Sequence, residues 1–177
     1  MKKNYIVAPL TILIATLIIV LNTQDTISYV SGPPAGRCGD PSSGGQTCAI
    51  SGCHTGSSVV TVTDWITSTI PASGYIPGQT YTITASATET GLVKFGFQIS
   101  PQNSSGGLLG TLVVTNSTET QLVGSSKYIE QKSAGSNGSS GTKTWTFNWT
   151  APAAGTGDVT FYGAFNCANN NGSSTGD

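Results

Sequence analysis

The sequence predicts an all-β fold, a Greek-key β-sandwich of about seven short strands, with an open barrel as the structural alternative. The main evidence is in residues 142–165, where two segments alternate apolar and polar side chains on either side of Ala151-Pro152. Alternation gives each strand one apolar face, and such faces need a second sheet to cover them. The proline ends the first segment because it has no N–H for a ladder. No segment after the N-terminus has a convincing helical pattern.

The composition is typical of a neutral extracellular protein. Only 8% of the 177 residues are charged, and the formal net charge is −1. There is no basic patch for nucleic acid and no acidic run for cations. Glycine, serine, threonine and asparagine dominate the polar residues, and threonine favours strands. The chain is long enough for one domain with a core of its own.

The N-terminus has the pattern of an export segment. Lys2 and Lys3 precede an apolar run over residues 5–21, as in a signal peptide. The run also has the length of a single membrane anchor, and no A-x-A cleavage site follows it. Residues 1–25 are therefore predicted to be a signal peptide or an N-terminal membrane anchor. The rest of the chain is expected to be secreted or on the cell surface, in an oxidising compartment.

The remaining chain divides into an irregular segment and a run of strands. Residues 26–57 are rich in Cys, Gly and Pro and are expected to pack on the domain, and residues 58–177 are expected to form the sandwich, truncated at its C-terminus. Pro77-Gly78 fits the centre of a type II turn. The strands are marked, in chain order, by Val60, Val62 and Trp65; Tyr81, Ile83, Ala85 and Ala87; Phe95, Phe97 and Ile99; residues 109–115; residues 127–132; Trp145, Phe147 and Trp149; and Val159, Phe161, Gly163 and Phe165.

Several segments, taken in order, are similar to a known family. They are Gly36-Arg37 with Asp40-Pro41, Cys48 with Cys53-His54, Tyr75-x-Pro77-Gly78-Gln79-x-Tyr81, Gly96-Phe97-Gln98, Gly110-Thr111, Trp145-x-Phe147-x-Trp149-x-Ala151-Pro152 and Gly157-x-Val159-x-Phe161. Over residues 33–177 the chain resembles the reelin-type (Reeler) domain, and more closely its bacterial version in exported Bacteroidetes proteins, the choice-of-anchor V domain. The resemblance implies an immunoglobulin-like β-sandwich that is secreted or on the cell surface, with no catalytic activity.

The resemblance also implies a haem alternative. Bacterial relatives commonly carry Cys-x-x-Cys-His, in which two thiols attach a c-type haem and the histidine binds its iron. In this chain Cys48, Cys53 and His54 have four residues between the cysteines. His54 is the single histidine and Met1 the single methionine, so the usual second axial ligand is absent. The main expectation is no cofactor, and covalent haem c is the alternative.

The cysteines are also candidates for disulfides in an exported protein, and they are Cys38, Cys48, Cys53 and Cys167. Pairing Cys38 with Cys167, and Cys48 with Cys53, would tie the irregular segment to the last strand. Four cysteines allow three pairings, and the sequence does not choose between them. Zinc bound by Cys48, Cys53, His54 and Cys38 is a third interpretation, which the oxidising compartment and the spacing disfavour. No metal site is predicted.

No residue pattern indicates an enzyme. The carboxylates are isolated, and a Ser-His-Asp triad would need His54, next to Cys53. We expect an exported module with a binding, adhesion or structural role, whose partner is an extracellular protein or glycan and not nucleic acid. Membrane contact is expected only through the N-terminal segment or a missing C-terminal anchor.

Two other functions stay open at this point. One is the haem-bearing redox protein that uses Cys48, Cys53 and His54. The other is a carbohydrate-binding module, which would need a row of exposed aromatic side chains. Trp145 and Trp149 share one strand face with Phe147, so core packing is the better interpretation for them.

Overall fold

The computed structural model describes residues 29, 31–50, 53–54 and 58–171. The predicted signal peptide or anchor, residues 1–25, lies outside the described residues. Among those described, no helix is both long and apolar enough to cross a membrane.

Eight strands form two antiparallel sheets, which confirms the predicted all-β sandwich. They are β1 (Ile66–Ser68), β2 (Thr80–Thr88), β3 (Lys94–Gln102), β4 (Thr111–Val114), β5 (Thr120–Val123), β6 (Tyr128–Gln131), β7 (Thr142–Thr150) and β8 (Thr160–Ala168). The first sheet has the order β1-β2-β7-β4 and the second β5-β6-β3-β8. Two short 3₁₀ turns, Pro41–Ser43 and Ser133–Gly135, are the helical elements of the described chain.

The core lies between the sheets and is built from the alternating residues that the sequence marked. Phe97 of β3 meets Trp145 of β7 with ring centroids 4.5 Å apart, and Trp149 meets Phe161 of β8 at 5.2 Å, edge to face. Both indole N–H groups donate to backbone carbonyl oxygens, so burying them leaves no donor unpaired. The buried hydrophobic residues of this core are Tyr81, Ile83, Ala85, Ala87, Phe95, Phe97, Ile99, Leu112, Ile129, Trp145, Phe147, Trp149 and Ala151.

The strands β7 and β8 lie in different sheets. The link over residues 151–159, with its proline and glycines, carries the chain from the first sheet to the second. β7 pairs with β2 and β4, and β8 pairs with β3. The aromatic face of each strand is therefore covered in part by the other.

The predicted type II turn is confirmed. Gln79 N donates to Ile76 O at 3.1 Å, and Gly78 has a φ of 74°. A positive φ at the third residue of the turn is what a type II turn requires, and Pro77 supplies the fixed φ of the second. The turn delivers the chain into β2 one residue later.

The first predicted strand is wrong in position. Val60 and Val62 are 72% and 39% exposed and belong to no strand, and the strand begins at Ile66. Asp64 has a φ of 64°, which breaks an extended strand between Val62 and Trp65. The valines therefore lie outside the ladder, and β1 pairs with β2 over three residues only.

The sequence prediction also missed β5 and so counted seven strands. β5 has four residues and forms a hairpin with β6, closed by a hydrogen bond from Lys127 N to Gly124 O at 3.2 Å. So short a strand has too few positions to show a period of two. The segments predicted at residues 109–115 and 127–132 are confirmed as β4 and β6.

Candidate functional site

The irregular segment lies across the outer face of the second sheet, held by polar side chains of β3. Arg37 N donates to Gln98 Oε1 at 2.6 Å, and Gln98 Nε2 donates to Pro34 O at 3.2 Å. Four residues further along β3, on the same face, Gln102 Nε2 donates to Asp40 Oδ1 at 2.9 Å. Backbone groups of the segment that have no partner within it, Arg37 N and Pro34 O, are thereby hydrogen-bonded to a side chain of the sheet.

Asp40 is the main anchor of the segment. Its carboxylate is fully buried and accepts hydrogen bonds from Ser42 Oγ, from Ser43 Oγ and N, from Gln102 Nε2 and from Cys38 Sγ. Burial alone would raise the pKa of Asp40, but the bonds donated by Ser42, Gln102 and Ser43 outweigh it and hold the pKa well below its usual range. The carboxylate is therefore ionised at neutral pH without a cation beside it.

Asp40 also caps the 3₁₀ turn Pro41–Ser43, with proline at the first position and a left-handed Gly44 after it. The chain then returns, and Gly39 N donates to Gln46 O at 2.9 Å. Cys38 and Thr47 form an isolated antiparallel bridge. This fold-back brings Cys48 next to Arg37, with Cys48 Sγ 3.9 Å from Arg37 O.

Cys48, Cys53 and His54 lie together at the edge of a cleft. His54 N donates to Cys48 O at 3.2 Å, and Cys53 N donates to Ile50 O at 3.0 Å, so the backbone holds Cys53 and His54 close to residues 48–50. The cleft has a volume of about 190 Å³ and is also lined by Arg37, Lys94 and Gln131. We call it the Arg37–Lys94 cleft. It lies where the irregular segment meets the start of β3 and the end of β8.

The Arg37–Lys94 cleft carries positive charge. Of the described residues that line it, none is a carboxylate. Lys94 Nζ donates to Asn137 Oδ1 at 2.6 Å, and Arg37 Nη1 donates to Gln46 Oε1 at 2.7 Å and Gly36 O at 3.0 Å, so both cations have neutral partners. Arg37 Nε is buried without a hydrogen-bond partner. An unpaired donor that is buried carries a free-energy cost.

The thiol of Cys48 is not an activated nucleophile. Burial raises its pKa to about 11, with a further rise from the neighbouring Cys53. Reactive cysteines need a lowered pKa, so that the thiolate is populated at neutral pH. Cys48 is therefore protonated under ordinary conditions.

The four cysteines are free thiols in the structure. Cys38 belongs to the irregular segment and is buried beside Asp40, between that segment and the outer face of the second sheet. Cys167 is the register partner of Phe95, and directly opposed residues point to the same face, so its side chain is on the core side. The sheet itself therefore stands between Cys38 and Cys167. Cys167 instead lines a second, neighbouring cleft together with Cys48 and His54.

The part of the chain that the structure describes has neither a grouping for a metal ion nor an exposed aromatic platform. Within the described ranges, no three His, Cys, Asp or Glu side chains come together as a metal site. Trp145 and Trp149 are 2% and 0% exposed, which confirms their predicted place in the core. Tyr29 is the one aromatic residue of the described chain that is classed as exposed, at 44%.

Sequence reasoning missed the residues that shape this site. Arg37 and Lys94 lie in different predicted segments, and only the fold-back over β3 brings them to one cleft. Asp40 could have been found, because Asp-Pro-Ser-Ser has the pattern of a capping residue before a helical turn. That its carboxylate would be buried against Gln102 has no signal in the sequence.

A comparison with models of known protein families identifies the family of this chain. The Reeler domain model matches residues 47–169, more than half of the chain. The chain belongs to the Reeler domain family. The resemblance seen in the sequence is thereby confirmed, whereas the narrower choice-of-anchor V assignment stays a prediction.

The structure is also similar to solved Reeler domains. The crystal structure of a human F-spondin reeler domain fragment is 19% identical, with a TM-score of 0.45, and the match covers 59% of this chain and 82% of that one. The Reelin-N domain of F-spondin is 20% identical, with a TM-score of 0.47, over 59% of this chain and 74% of that one. A search of curated proteins gave no match to this Reeler chain.

Proposed function

We propose that this Reeler domain is an exported, non-enzymatic module that binds an acidic group of an extracellular protein or glycan in the Arg37–Lys94 cleft. The observation that carries the proposal is the charge of the cleft. Two cations line it, and no described carboxylate does. A positive, partly buried pocket favours an anionic ligand because the local dielectric is low.

Binding fits the site better than catalysis does. The space between the sheets is filled by the aromatic core, so an internal active site has no room. Cys48, which lines the cleft, has a pKa raised to about 11, and this suits neither nucleophilic nor general-base chemistry near neutral pH. The cleft is also smaller than the roughly 300–1,000 Å³ of sites that enclose whole small ligands, which fits one acidic group of a larger partner.

Export to the cell surface or the medium supports this role. The Lys2-Lys3 start, the apolar run over residues 5–21 and the low charge content are the observations behind it. Cell fractionation with and without a protease added to intact cells tests it. Protection of the protein from the protease in the cytoplasmic fraction would contradict export.

The test of binding uses two acidic probes and NMR. Glucuronate and an acidic hexapeptide are titrated into the isotopically labelled exported protein, and we expect backbone shifts at Arg37, Lys94 and Gln131. Lys94→Gln should weaken the binding of whichever probe shifts these residues. Lys127→Gln is the matched control, because it removes the same charge at a position that does not line the cleft. Lys127 precedes β6, whose opposite end, Gln131, lines the cleft, and Lys127 Nζ donates to Gly106 O. Shifts that are absent, or equal in the two variants, would contradict the proposal.

A second candidate function is the c-type haem protein. One observation favours it, namely that Cys48, Cys53 and His54 line the same cleft. The cleft volume of about 190 Å³ would not enclose a porphyrin, and the chain holds no second histidine. Intact mass and an absorbance spectrum, on protein exported by a host that matures c-type haem, separate the two functions. A mass gain of one haem with a Soret band that His54→Ala removes would favour the redox function.

A further inference from the structure

The outer face of the first sheet is a ladder of hydroxyl side chains. Every second residue of β2 from Thr80 to Thr88, and of β7 from Thr142 to Thr150, points outward, and all are threonine except Ser86 and Asn148. The register places these residues directly opposite one another in five consecutive cross-strand pairs. We call this surface the threonine face.

The side chains of the threonine face fix one another. The hydroxyls of Thr80 and Thr150 are 2.8 Å apart, and those of Ser86 and Thr144 are also 2.8 Å apart. Threonine is restricted at χ1 by its branched Cβ, so a hydroxyl pair of this kind has little rotamer freedom to lose. When one hydroxyl donates to its neighbour, the second O–H stays free to donate outward. The hydroxyl pairs Thr80–Thr150 and Ser86–Thr144 therefore present a fixed donor and acceptors, together with the methyl groups of their threonines.

The threonine face carries no charge. In the four strands of this sheet the one charged residue is Lys143. It is the register partner of the buried Ala87, so it does not belong to the threonine face, and its ammonium group pairs with Glu119 at 3.0 Å. Aromatic side chains are absent from it as well, since Trp145 and Trp149 point into the core. A neutral surface without rings suits neither an ionic partner nor sugar-ring stacking.

The spacing of the hydroxyls is that of the sheet. Neighbouring strands are about 4.8 Å apart, and outward residues along one strand repeat about every 6.8 Å. A regular two-dimensional array of neutral hydroxyl and methyl groups matches a ligand that is itself a neutral periodic lattice of hydrogen-bonding oxygens. We propose that the threonine face binds ordered water at the surface of ice. Sheet twist of about 20° between strands limits the regular area to β2 and β7.

The proposal is independent of the Arg37–Lys94 cleft and is tested on the exported protein at freezing temperatures. We expect the protein to partition into growing ice, to shape the crystals and to hold a gap between their melting and freezing points. Thr146→Lys should abolish all three, because Thr146 is exposed on the central strand β7 and a long, strongly hydrated lysine side chain would hold the surface away from the ice. Thr82→Lys, exposed on β2, is the second variant and should have the same effect.

Thr118→Lys is the matched control, since it makes the same substitution at an exposed turn away from the threonine face and should leave the ice activity unchanged. Urea unfolding confirms that each variant is folded. Two results would overturn the proposal: folded wild-type protein without any ice activity, or equal activity in Thr146→Lys and Thr118→Lys. Retention on microcrystalline cellulose or chitin in the absence of ice activity would assign the face to a neutral glycan instead.

Discussion

Gln102 Nε2 donates to Asp40 Oδ1 at 2.9 Å across a sequence separation of 62 residues, and both side chains are fully buried. This bond joins the irregular N-terminal segment to β3, a nine-residue strand of the second sheet. The carboxylate of Asp40 accepts hydrogen bonds from neutral donors and lies three residues after Arg37, which lines the Arg37–Lys94 cleft. The position of the cleft wall therefore depends on Asp40.

Asp40→Asn should destabilise the protein by about 2–4 kcal/mol, because the new amide N–H₂ faces hydroxyl and amide donors inside a buried site. Urea unfolding at neutral pH measures the free-energy difference. Asp158→Asn is the matched control, since Asp158 is exposed in the link between β7 and β8, and we expect a change within about 0.5 kcal/mol. A loss for Asp40→Asn no larger than that of the control would show that the anchor does not act as described.

The same anchor should make stability depend on acid. Because the pKa of Asp40 is lower in the folded protein than in the unfolded chain, its contribution is present above the unfolded pKa. That contribution is lost as the pH falls below about 4 toward the folded pKa. The wild-type protein should therefore lose stability more steeply on acidification than Asp40→Asn does, in unfolding curves taken at a series of pH values.

The contribution of Glu130 to stability should change with pH in the opposite direction to that of Asp40. Burial raises its pKa, and the bonds accepted from Gln98 Nε2 at 2.8 Å and Gln121 Nε2 at 3.0 Å offset only part of the rise. A raised folded pKa gives a contribution that is complete below the unfolded pKa of about 4.3 and is lost as the pH rises through the folded pKa. The stability of the wild type relative to Glu130→Gln should therefore fall as the pH rises over the range above about 4, where the carboxyl group ionises. A difference that stays constant over this range would contradict the burial of an ionisable Glu130.

The fold was predictable from the sequence where one strand face is apolar and long enough to show alternation. β2, β3 and β7 each have nine residues, and their inward positions are the core. The same rule failed for Val60 and Val62, where two alternating valines stand before the left-handed Asp64 and have no partner strand. Alternation predicts which face is buried, but pairing decides whether a strand forms at all.

The candidate site was predictable only in part. The cysteines and His54 were found because their residue types are rare and their spacing resembles a family motif. Arg37, Lys94 and Glu130 were not, because their importance comes from contacts between segments that are distant in the sequence. Gln98 illustrates the limit: it lies on the outer face of β3, where solvent is expected, yet it is fully buried under the irregular segment.

The cysteines give a prediction about the exported protein. Cys48 and Cys53 line one cleft, and a backbone hydrogen bond ties the neighbouring His54 to Cys48, so we expect the two cysteines to form a disulfide in an oxidising compartment. Cys38 is 1% exposed, donates to Asp40 Oδ2 and has a raised pKa through burial, so it should resist alkylation until the protein unfolds. Intact mass before and after reduction should differ by two hydrogens. A difference of four would show a second bridge, with Cys38 and Cys167 paired despite their positions on opposite faces.

Gly110 gives the sharpest test of packing around the core. Its φ of 74° is in the left-handed region, and a methyl group on it would collide with Thr150 O and Trp149 Nε1. That N–H donates to Leu109 O at 2.9 Å, so a shifted Trp149 would lose a buried hydrogen bond as well.

Gly155→Ala separates the two costs of an alanine at a positive φ. Gly155 has a φ of 80°, and nothing lies within 4 Å of a Cβ built on it, so Gly155→Ala carries the backbone strain without the collision. We expect a loss of about 1 kcal/mol for Gly155→Ala and of about 3 kcal/mol for Gly110→Ala in urea unfolding. The difference should also appear in tryptophan fluorescence, because only Gly110→Ala displaces Trp149. Equal losses in the two variants would mean that the indole of Trp149 can move aside without cost, and that the core is looser than its ring contacts indicate.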